Sequence, residues 1–512
     1  MKIITTTLLL LLIAGGVLKG QNSYRVIFAS ELNDAIYKVS KGDSDEYNVI
    51  KWKNYWGGIY DTSTIFRADI YSFHNTLADS TRWPVNFNRP DTTIFPFAIL
   101  FDDNNYIVAG GAVIRTGGED SVLTRYQYIA RFDINKQVLW EYLYPRPQEL
   151  LQYGSPNLQR ILKLKSGNYL TVSMLMKLGG NNRRWLIQSY TPDGDTIQTR
   201  VFSDYLAGHI ESLTYNYDSS EILVHATNAH IPGCYHLETA GRGAVILDTV
   251  TYDTLGGICY EPNFHIENPY EAMFNPAGNL VVAGETMIFN SDEHKLDEYF
   301  GVYVLDTNYN VINSTLLTDK DRKFKAGSFK CMDITANGDI YLAGILDRNP
   351  GFFPQTYDYI YLAKLDSELN LITERYFGND AYYWVHSVVA TTDGGMLLAG
   401  MQYDYMVNNY EFDAYVIKTD PDLWVNTPEN TILSMHSALV YPNPGSGTMF
   451  VRTTERGSIL KVYNLSGQEM QQKRIDNLIT EVNCRRLTNG VYVWKLFKDN
   501  REIDHGKWIK ID

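Results

Sequence analysis

Short runs of alternating apolar and polar residues cover most of this chain, with turn-forming residues between them. The alternation has the two-residue period of strands that bury one face, and Gly, Asn and Asp bound the runs. Thirty-eight tyrosines and an aromatic share of 13% fit the same structure, because aromatic side chains favour strands. The pattern predicts an all-β protein.

One pattern recurs six times in the middle of the chain: an apolar approach, a polar turn, and a short strand that ends in a small residue. The six strands are Asn104–Gly110, Gly167–Ser173, Ser220–Ala226, Gly278–Gly284, Gly338–Gly344 and Gly394–Gly400. Their final residues lie 63, 53, 58, 60 and 56 positions apart. A second strand, usually ending in aspartate, follows each one at a matching period, as at Asp133, Asp248 and Asp420. Two markers with one period indicate a true repeat.

Each repeat holds four predicted strands with turns at fixed offsets, which is the arrangement of a β-propeller blade. Residues 21–436 divided by a period of about 58 give about seven blades. Six are visible, and the degenerate region from Tyr24 to Pro96 is expected to hold the seventh and to close the ring with strands from both termini. A six-bladed ring with an N-terminal extension is the alternative. An open solenoid would leave unprotected sheet edges.

The N-terminus, residues 1–20, has the features of a signal peptide. A basic start at Lys2 precedes an apolar run centred on Leu8–Leu12, and small residues follow before Gln21, the expected mature N-terminus. The run is too short to span a bilayer before Lys19, and no later stretch approaches about 20 apolar residues. We therefore expect export to the periplasm and no transmembrane segment.

The last segment, residues 437–512, carries motifs of its own. Its short alternating runs predict a small antiparallel β-sandwich. The motif residues are Tyr441, Pro442, Asn443 and Pro444 at the start, Gly490 and Tyr492 in a Leu-x-x-Gly-x-Tyr motif, and Lys507 and Lys510 in the last strand. This set resembles the type A C-terminal sorting domain carried by cargo of the type IX (Por) secretion system of Bacteroidetes. An ordinary C-terminal binding domain is the alternative.

The resemblance implies a route and partners. The segment would be recognised by the outer-membrane translocon and by its surface processing machinery, and the protein would lie outside the cell or on its outer surface. Lys507 and Lys510 are the candidate translocon contacts, with a solvated last strand as the alternative interpretation. The domain organisation expected is a signal peptide (1–20), a β-propeller (21–436) and a sorting domain (437–512).

Net charge and cysteine content limit the possible partners and the possible disulfides. Lys and Arg number 45 against 59 Asp and Glu, and the net charge of −14 argues against a nucleic-acid partner. Four cysteines are too few for a disulfide framework. Cys234 and Cys259 are predicted to pair in an oxidising compartment, with two free thiols or a zinc site as alternatives. No cofactor and no metal are predicted.

Long predicted loops lie on one face of the propeller, formed by the second connection of each blade and by the connections between blades. Loops on a rigid scaffold carry function, so this looped face is the expected binding face. Residues that enter the inner strands would ring the channel mouth there. They are His209, Glu211, Tyr270, Glu271, Lys330, Tyr382, Tyr383, Trp384 and His386. Aromatic, acidic and imidazole groups around a concavity suit sugar or peptide recognition, with packing at the blade start as the alternative.

The chain has no Gly-x-Ser-x-Gly elbow and no His-Glu-x-x-His helix, and no catalytic residues are assigned. The expected function is therefore binding of an extracellular glycan or protein. The alternative is a polysaccharide hydrolase or lyase on the propeller fold, for which Glu211 and Glu271 would be the facing carboxylates. A structural component of the cell surface is a third possibility.

Overall fold

The computed structural model describes most of the chain between Ser23 and Ile511. The described residues are 23–28, 34–53, 67–75, 77–116, 122–151, 153, 158–177, 183–202, 208–229, 231–232, 241–260, 266–290, 295–317, 323–347, 356–405, 411–425, 435–436, 438–441, 445–453, 455–477, 479–498 and 501–511. The predicted signal peptide lies outside them.

The described residues before 419 form seven antiparallel sheets, which we call blades 1 to 7, with strands numbered in chain order. Strand β1 (Tyr24–Phe28) comes first in the chain. Blade 1 is β2 (Asp34–Lys41), β3 (Glu46–Lys53), β4 (Arg67–His74) and β5 (Leu77–Arg82). Blade 2 is β6 (Thr92–Asp102), β7 (Asn105–Thr116), β8 (Val122–Asp133) and β9 (Val138–Pro145), followed by a 3₁₀ turn at Gln148–Leu150. Blade 3 is β10 (Leu158–Lys163), β11 (Tyr169–Met176), β12 (Arg183–Tyr190) and β13 (Thr196–Phe202).

The remaining blades follow the same order from the axis outward. Blade 4 is β14 (His209–Tyr215), β15 (Glu221–Ala229), β16 (Gly241–Asp248) and β17 (Thr254–Cys259). Blade 5 is β18 (Ile266–Phe274), β19 (Leu280–Asn290), β20 (Lys295–Leu305) and β21 (Val311–Leu317). Blade 6 is β22 (Phe324–Ala326), β23 (Met332–Ile334), β24 (Ile340–Leu346), β25 (Tyr359–Leu365) and β26 (Leu371–Gly378), with β22 and β23 both paired to β24. Blade 7 is β27 (Tyr382–Ala390), β28 (Met396–Tyr403) and β29 (Asp413–Lys418), completed by β1.

The ring closes through the N-terminal strand. Strand β1 pairs antiparallel with β29, from Tyr24 opposite Lys418 to Phe28 opposite Ala414, and so supplies the outer strand of blade 7. The inner strands of successive blades contact one another all the way round, including β27 with β2. The predicted all-β fold, a β-propeller with seven blades and closure by both ends of its chain, is confirmed.

The repeat seen in the sequence has a physical basis in the third turn of each blade. In blade 5 a carboxylate oxygen of Asp306 accepts hydrogen bonds from the backbone N–H groups of Asn308 and Asn310, at 2.9 and 2.8 Å. Asp366 caps the same turn of blade 6 through Glu368 and Asn370. Aspartate therefore recurs because its side chain satisfies turn N–H groups that no strand reaches.

Most inner strands contain a one-residue bulge at an equivalent place. The register with the second strand of the blade shifts at Tyr37, Phe97, Glu211, Tyr270 and His386. In blade 6 the inner strand is instead interrupted between Ala326 and Met332. A bulge re-aims the side chain of the extra residue, so these positions no longer follow simple alternation.

The interruption in blade 6 places Phe329 across the propeller axis. Its ring lies 5.1 Å from the rings of both Tyr37 and His386, which belong to blades 1 and 7. It also packs against the hydrophobic core shared by blades 3 and 4. Arg160 of blade 3 donates a hydrogen bond to the Phe329 carbonyl oxygen at 3.2 Å. Side chains therefore fill the axis toward the N-terminal ends of the inner strands.

The C-terminal segment is a second β-structure. Its strands are β30 (Met435–His436), β31 (Ala438–Tyr441), β32 (Thr448–Thr453), β33 (Ser458–Asn464), β34 (Glu469–Ile475), β35 (Ile479–Asn483), β36 (Gly490–Lys498) and β37 (Arg501–Lys510). Strand β30 pairs with β26 of blade 6, whereas β31-β32-β35 and β34-β33-β36-β37 form two sheets. These two sheets share a core that includes Leu460, Trp494 and Trp508, which confirms the predicted small β-sandwich. No helix among the described residues has the length and apolarity needed to cross a membrane.

Removing residues 23–28 should destabilise the propeller markedly. The deletion exposes the edge of β29 and uncovers the core that Tyr24, Val26 and Phe28 pack against in blades 1 and 7. Burial of a large apolar side chain contributes about 1.5–3 kcal/mol, so we expect a loss of about 4 kcal/mol and a fall in melting temperature of about 10 °C. Thermal unfolding of the deletion variant beside the exposed-site control Ile27→Thr measures this. Equal melting temperatures for the two variants would contradict closure by β1.

Candidate functional site

A cavity of about 510 Å³ lies on the propeller axis. Six inner strands line it with residues from their C-terminal halves, close to the tight turns such as Gly42. The charged residues among them are Lys38, Lys41, Arg160, Glu271, Lys330 and Asp333. This axial cavity therefore lies at the tight-turn end of the channel. The expected mouth on the looped face is not where the cavity lies, because Phe329 and the aromatic bulge residues fill the axis on that side.

Asp333 organises one wall of the cavity. Its carboxylate, 2% exposed, accepts from Lys330 at 2.9 Å and from Lys41 at 2.7 Å, and from the backbone N–H of Ala390 at 2.8 Å. Burial alone would raise the pKa of Asp333, but the two lysines outweigh it and hold the pKa below its usual value. One buried carboxylate thus ties blades 6, 7 and 1 together and fixes two ammonium groups.

Arg160 forms the opposite side. The guanidinium is buried and donates from Nε to the backbone carbonyl of Glu211 at 2.9 Å, in addition to its bond with the Phe329 carbonyl. Both carbonyl oxygens belong to the backbone of other blades, and the charges of Glu271 and Glu211 also act on the guanidinium. The guanidinium is therefore a fixed cation at the floor of the cavity.

Lys38 and Glu271 face the same space from blades 1 and 5. Burial, and next the charge of Arg160, lower the pKa of Lys38 to about 7. Burial raises the pKa of Glu271, against the opposing effect of Lys38. Glu271 accepts a hydrogen bond from the backbone N–H of Ala272 at 3.3 Å. The cavity therefore combines fixed charges with two groups that titrate closer to neutrality than usual.

The predicted site residues lie in different places. Glu271 and Lys330 line the axial cavity, and His209, Glu211, Tyr382, Tyr383, Trp384 and His386 do not. Tyr270 lies in β18 at a bulge, and its side chain is outside the described part of the structure. The structure thus brings together two of the nine residues that the sequence proposed as a ring.

Glu211 and His209 are held within the scaffold of blade 4. The Glu211 carboxylate is buried, accepts from Thr227 Oγ1 at 3.0 Å, and has its pKa raised to about 7 by burial. Burial also lowers the pKa of His209 to about 4, so the imidazole is neutral at pH 7.

The aromatic members pack between blades. Tyr382, Tyr383 and His386 are buried, and His386 Nδ1 lies 2.6 Å from the Ile36 carbonyl oxygen, to which it donates when protonated there. Burial lowers the pKa of His386 to about 4. Trp384 donates from Nε1 to Ser328 Oγ at 3.0 Å. Tyr382, Trp384 and His386 pack in the same region as Phe329, whereas Tyr383 lies in the core between blades 6 and 7 against Tyr415.

Sequence reasoning missed Lys38, Lys41, Arg160 and Asp333. A signal was present at Lys38, which stands between Tyr37 and Val39, and at Asp333, which stands between Met332 and Ile334. A charge inside a buried strand needs a partner or a ligand. Blade 1 shows the repeat too weakly for Lys38 to be aligned with the other inner strands.

Cys259 is disulfide-bonded, and Cys331 and Cys484 are free and buried. Cys234 lies outside the described residues, so its pairing with Cys259 stays a prediction. No group of three His, Cys, Asp or Glu residues in the described ranges could hold a metal ion.

The sorting-signal residues are partly described. Tyr441 ends β31, and Pro442, Asn443 and Pro444 lie outside the described residues. Gly490 begins β36, and Tyr492 is buried against Trp508 and donates to the Thr488 carbonyl at 2.7 Å. Lys507 is exposed, whereas Lys510 is 8% exposed and therefore less accessible to a translocon.

Residues 439–510 match the secretion system C-terminal sorting domain of Por-type cargo. This confirms the sorting domain predicted from the motifs and implies export to the cell surface or the extracellular space. No curated protein matches the chain.

Solved structures resemble the chain at low identity. PorZ, a surface component of the type IX secretion system of Porphyromonas gingivalis, is 11% identical over 93% of this chain and 81% of its own, with a TM-score of 0.24. The polysaccharide lyase Uly1 is 10% identical over 80% and 92%, with a TM-score of 0.40. A putative 6-phosphogluconolactonase from Bacteroides uniformis is 10% identical over 80% and 100%, with a TM-score of 0.39. With TM-scores this low, the likenesses carry no argument.

Asp333→Asn should destabilise the propeller by about 3–5 kcal/mol at neutral pH, because it leaves Lys41 and Lys330 beside a neutral group. The folded pKa of Asp333 is lowered, so its contribution is complete above the unfolded pKa of about 3.9 and is lost as pH falls through the folded pKa. Denaturant unfolding from pH 3 to pH 7 should therefore show the gap between wild type and variant closing below about pH 4.

The matched control is Asp339→Asn, which removes a 20%-exposed carboxylate paired with Lys364. We expect this variant to lose about 1 kcal/mol or less of its free energy of unfolding. A loss in Asp333→Asn no larger than in this control, or one that is constant from pH 3 to pH 7, would refute the role given to Asp333.

Truncation after His436 should leave a folded propeller that stays in the periplasm, because it removes the sorting domain and leaves all seven blades intact. The truncation also removes Glu455, which pairs with Arg375 at 3.3 Å, but Arg375 keeps its contact over the Trp424 ring. Fractionation with an immunoblot, with Glu455→Gln as the control for the lost ion pair, measures the distribution. Truncated protein in the medium at the full-length level would contradict the assignment.

Proposed function

We propose that this chain is type IX cargo whose propeller binds an extracellular glycan or protein ligand in the axial cavity, without converting it. The observation that carries the proposal is the set of six charged residues that four of the blades place around one cavity. Charges are costly to bury, so a cavity that concentrates them is a feature of recognition more than of packing.

The charges are held in place before any ligand arrives. Asp333 fixes Lys41 and Lys330, and two carbonyl oxygens fix Arg160. Groups held by the scaffold lose little conformational freedom on binding, which favours affinity. The volume of about 510 Å³ lies in the range of small-molecule sites, so the cavity suits one end of a glycan or one side chain of a protein.

The closed side sets the direction of approach. Phe329 and its neighbours fill the axis toward the looped face, so the ligand enters from the tight-turn face. The looped face then remains open to a different use, and the loops there are not required for this site.

A polysaccharide hydrolase or lyase is the second candidate. It is favoured by one observation, the raised pKa values of Glu211 and Glu271, since a carboxyl group with a raised pKa keeps its proton to a higher pH, as general acid catalysis requires. Glu271 lines the axial cavity, whereas the Glu211 carboxylate is bonded to Thr227 outside it. A pair of carboxylates facing one substrate is therefore not supported by these contacts.

A screen of the mature full chain against extracellular polysaccharides and proteins separates the two functions. We expect saturable binding without new reducing ends or unsaturated products. Glu271→Gln should alter affinity, and Glu211→Gln should leave it within about twofold, because only Glu271 reaches the cavity. Product formation that Glu271→Gln abolishes would establish the enzyme, and the absence of any bound polymer or protein would contradict the binding proposal.

A further inference from the structure

Lys38 is the one cavity lysine that has no anionic partner within the described structure. Lys41 and Lys330 both pair with Asp333, whereas the ammonium group of Lys38 forms no hydrogen bond or ion pair with any described residue. It nevertheless lines the axial cavity directly. The ammonium group therefore lines the cavity without a hydrogen-bonded anion, and the charges of Glu271 and Asp333 act on it only from a longer distance.

The local backbone explains this orientation. The register between β2 and β3 shifts at Tyr37, which turns its own ring into the axial packing with Phe329 and His386. Lys38 follows immediately and resumes pairing, opposite Ile50. The equivalent positions in blades 3 and 5 are Arg160 and Glu271, each paired with the matching residue of its second strand. The inner strands thus place these three charges at one level of the axis.

The groups facing Lys38 come from every element around it. They are Arg160 on β10, Glu271 on β18, Lys330 and Asp333 in blade 6, and Lys41 on its own strand. Asp333 is already used by two lysines, and Glu271 is not within ion-pair distance of Lys38. Arg160 adds a second positive charge. Lys38 is therefore attracted to both carboxylates only over a longer range, and its ammonium group is placed to contact an anion that enters the cavity.

We propose that the axial cavity binds the anionic group of its ligand, a carboxylate or a sulfate, with the Lys38 ammonium as its partner and Arg160 beside it. This rests on the proposed binding function and deepens it, because it names acidic sugars as the ligand class. A charged hydrogen bond inside a partly enclosed cavity is stronger than one in water, so the anion would bind there in preference to a neutral group of the same size.

Binding of an anion beside Lys38 should change the protonation of its amine. Burial and Arg160 lower the pKa of Lys38 to about 7, so at pH 7.5 the amine is partly neutral. An anion beside it raises that pKa, and the complex takes up a fraction of a proton. Affinity should therefore fall as pH rises above about 7, by up to about tenfold per pH unit until the pKa of the complex is reached.

The test uses the mature full chain and isothermal titration calorimetry with three matched probes. Galacturonic acid carries a carboxylate, galactose 6-sulfate a sulfate, and galactose neither. We expect the acids to bind at least about tenfold more tightly than galactose, and Lys38→Met to remove that difference. Comparison of galacturonic acid with galactose 6-sulfate shows whether the site prefers a carboxylate or a sulfate. Lys165→Met, which removes a lysine on the tight-turn face outside the cavity, should leave all three affinities unchanged.

Proton uptake supplies a readout that a structural role for Lys38 would not change. Titrations at pH 7.5 in two buffers of different ionisation enthalpy should reveal uptake by the wild type and none by Lys38→Met. The variant breaks no ion pair, so its melting temperature should equal or exceed that of the wild type, and Lys38→Gln should repeat its binding behaviour.

Three results would overturn the inference: unchanged affinity for both acids in Lys38→Met, galactose binding as tightly as the acids, or no saturable binding of either acid up to about 10 mM. The second result leaves the proposed binding function intact. The first and third are separated from failure of that function by the polysaccharide and protein screen, which does not depend on Lys38.

Discussion

Strand β1 pairs with β29 and so closes the ring of blades. Without this pairing blade 7 would end in an open edge, and blade 1, which follows β1 in the chain, would lose the strand that ties it to blade 7. Closure of the ring fixes the spacing between neighbouring inner strands in all seven blades. The side chains that point to the axis must therefore fit into one small space. The interior of the channel is therefore determined by packing and charge balance at a single level of the ring.

The side chains around the propeller axis form two layers, one aromatic and one charged. On the side of the looped face, Phe329, Tyr37 and His386 pack ring against ring, and the interruption of the inner strand in blade 6 makes room for Phe329. On the side of the tight turns, Asp333 neutralises two lysines, and Arg160 is held by carbonyl oxygens. The apolar layer borders the charged layer on the side of the looped face, and the cavity lies beside the tight turns.

The parts of this structure that sequence could predict are those fixed by local chemistry. Asp306 and Asp366 cap the same turn in successive blades, and a repeat maintained by such contacts is visible in the chain. The bulges were not predictable in the same way, because a one-residue shift at His386 or Glu211 depends on neighbouring blades. The shift turns both side chains into the scaffold, which is why the predicted ring contributed only Glu271 and Lys330 to the cavity. Lys38 was missed because blade 1 shows the repeat most weakly, so its inner strand could not be aligned with the others.

Binding in the axial cavity can be tested with a crystal structure of the chain soaked with galacturonic acid. We expect sugar density between Lys38 and Arg160, with a carboxylate oxygen about 2.8 Å from Lys38 Nζ. Density confined to the looped face, with the cavity free of sugar, would contradict this expectation.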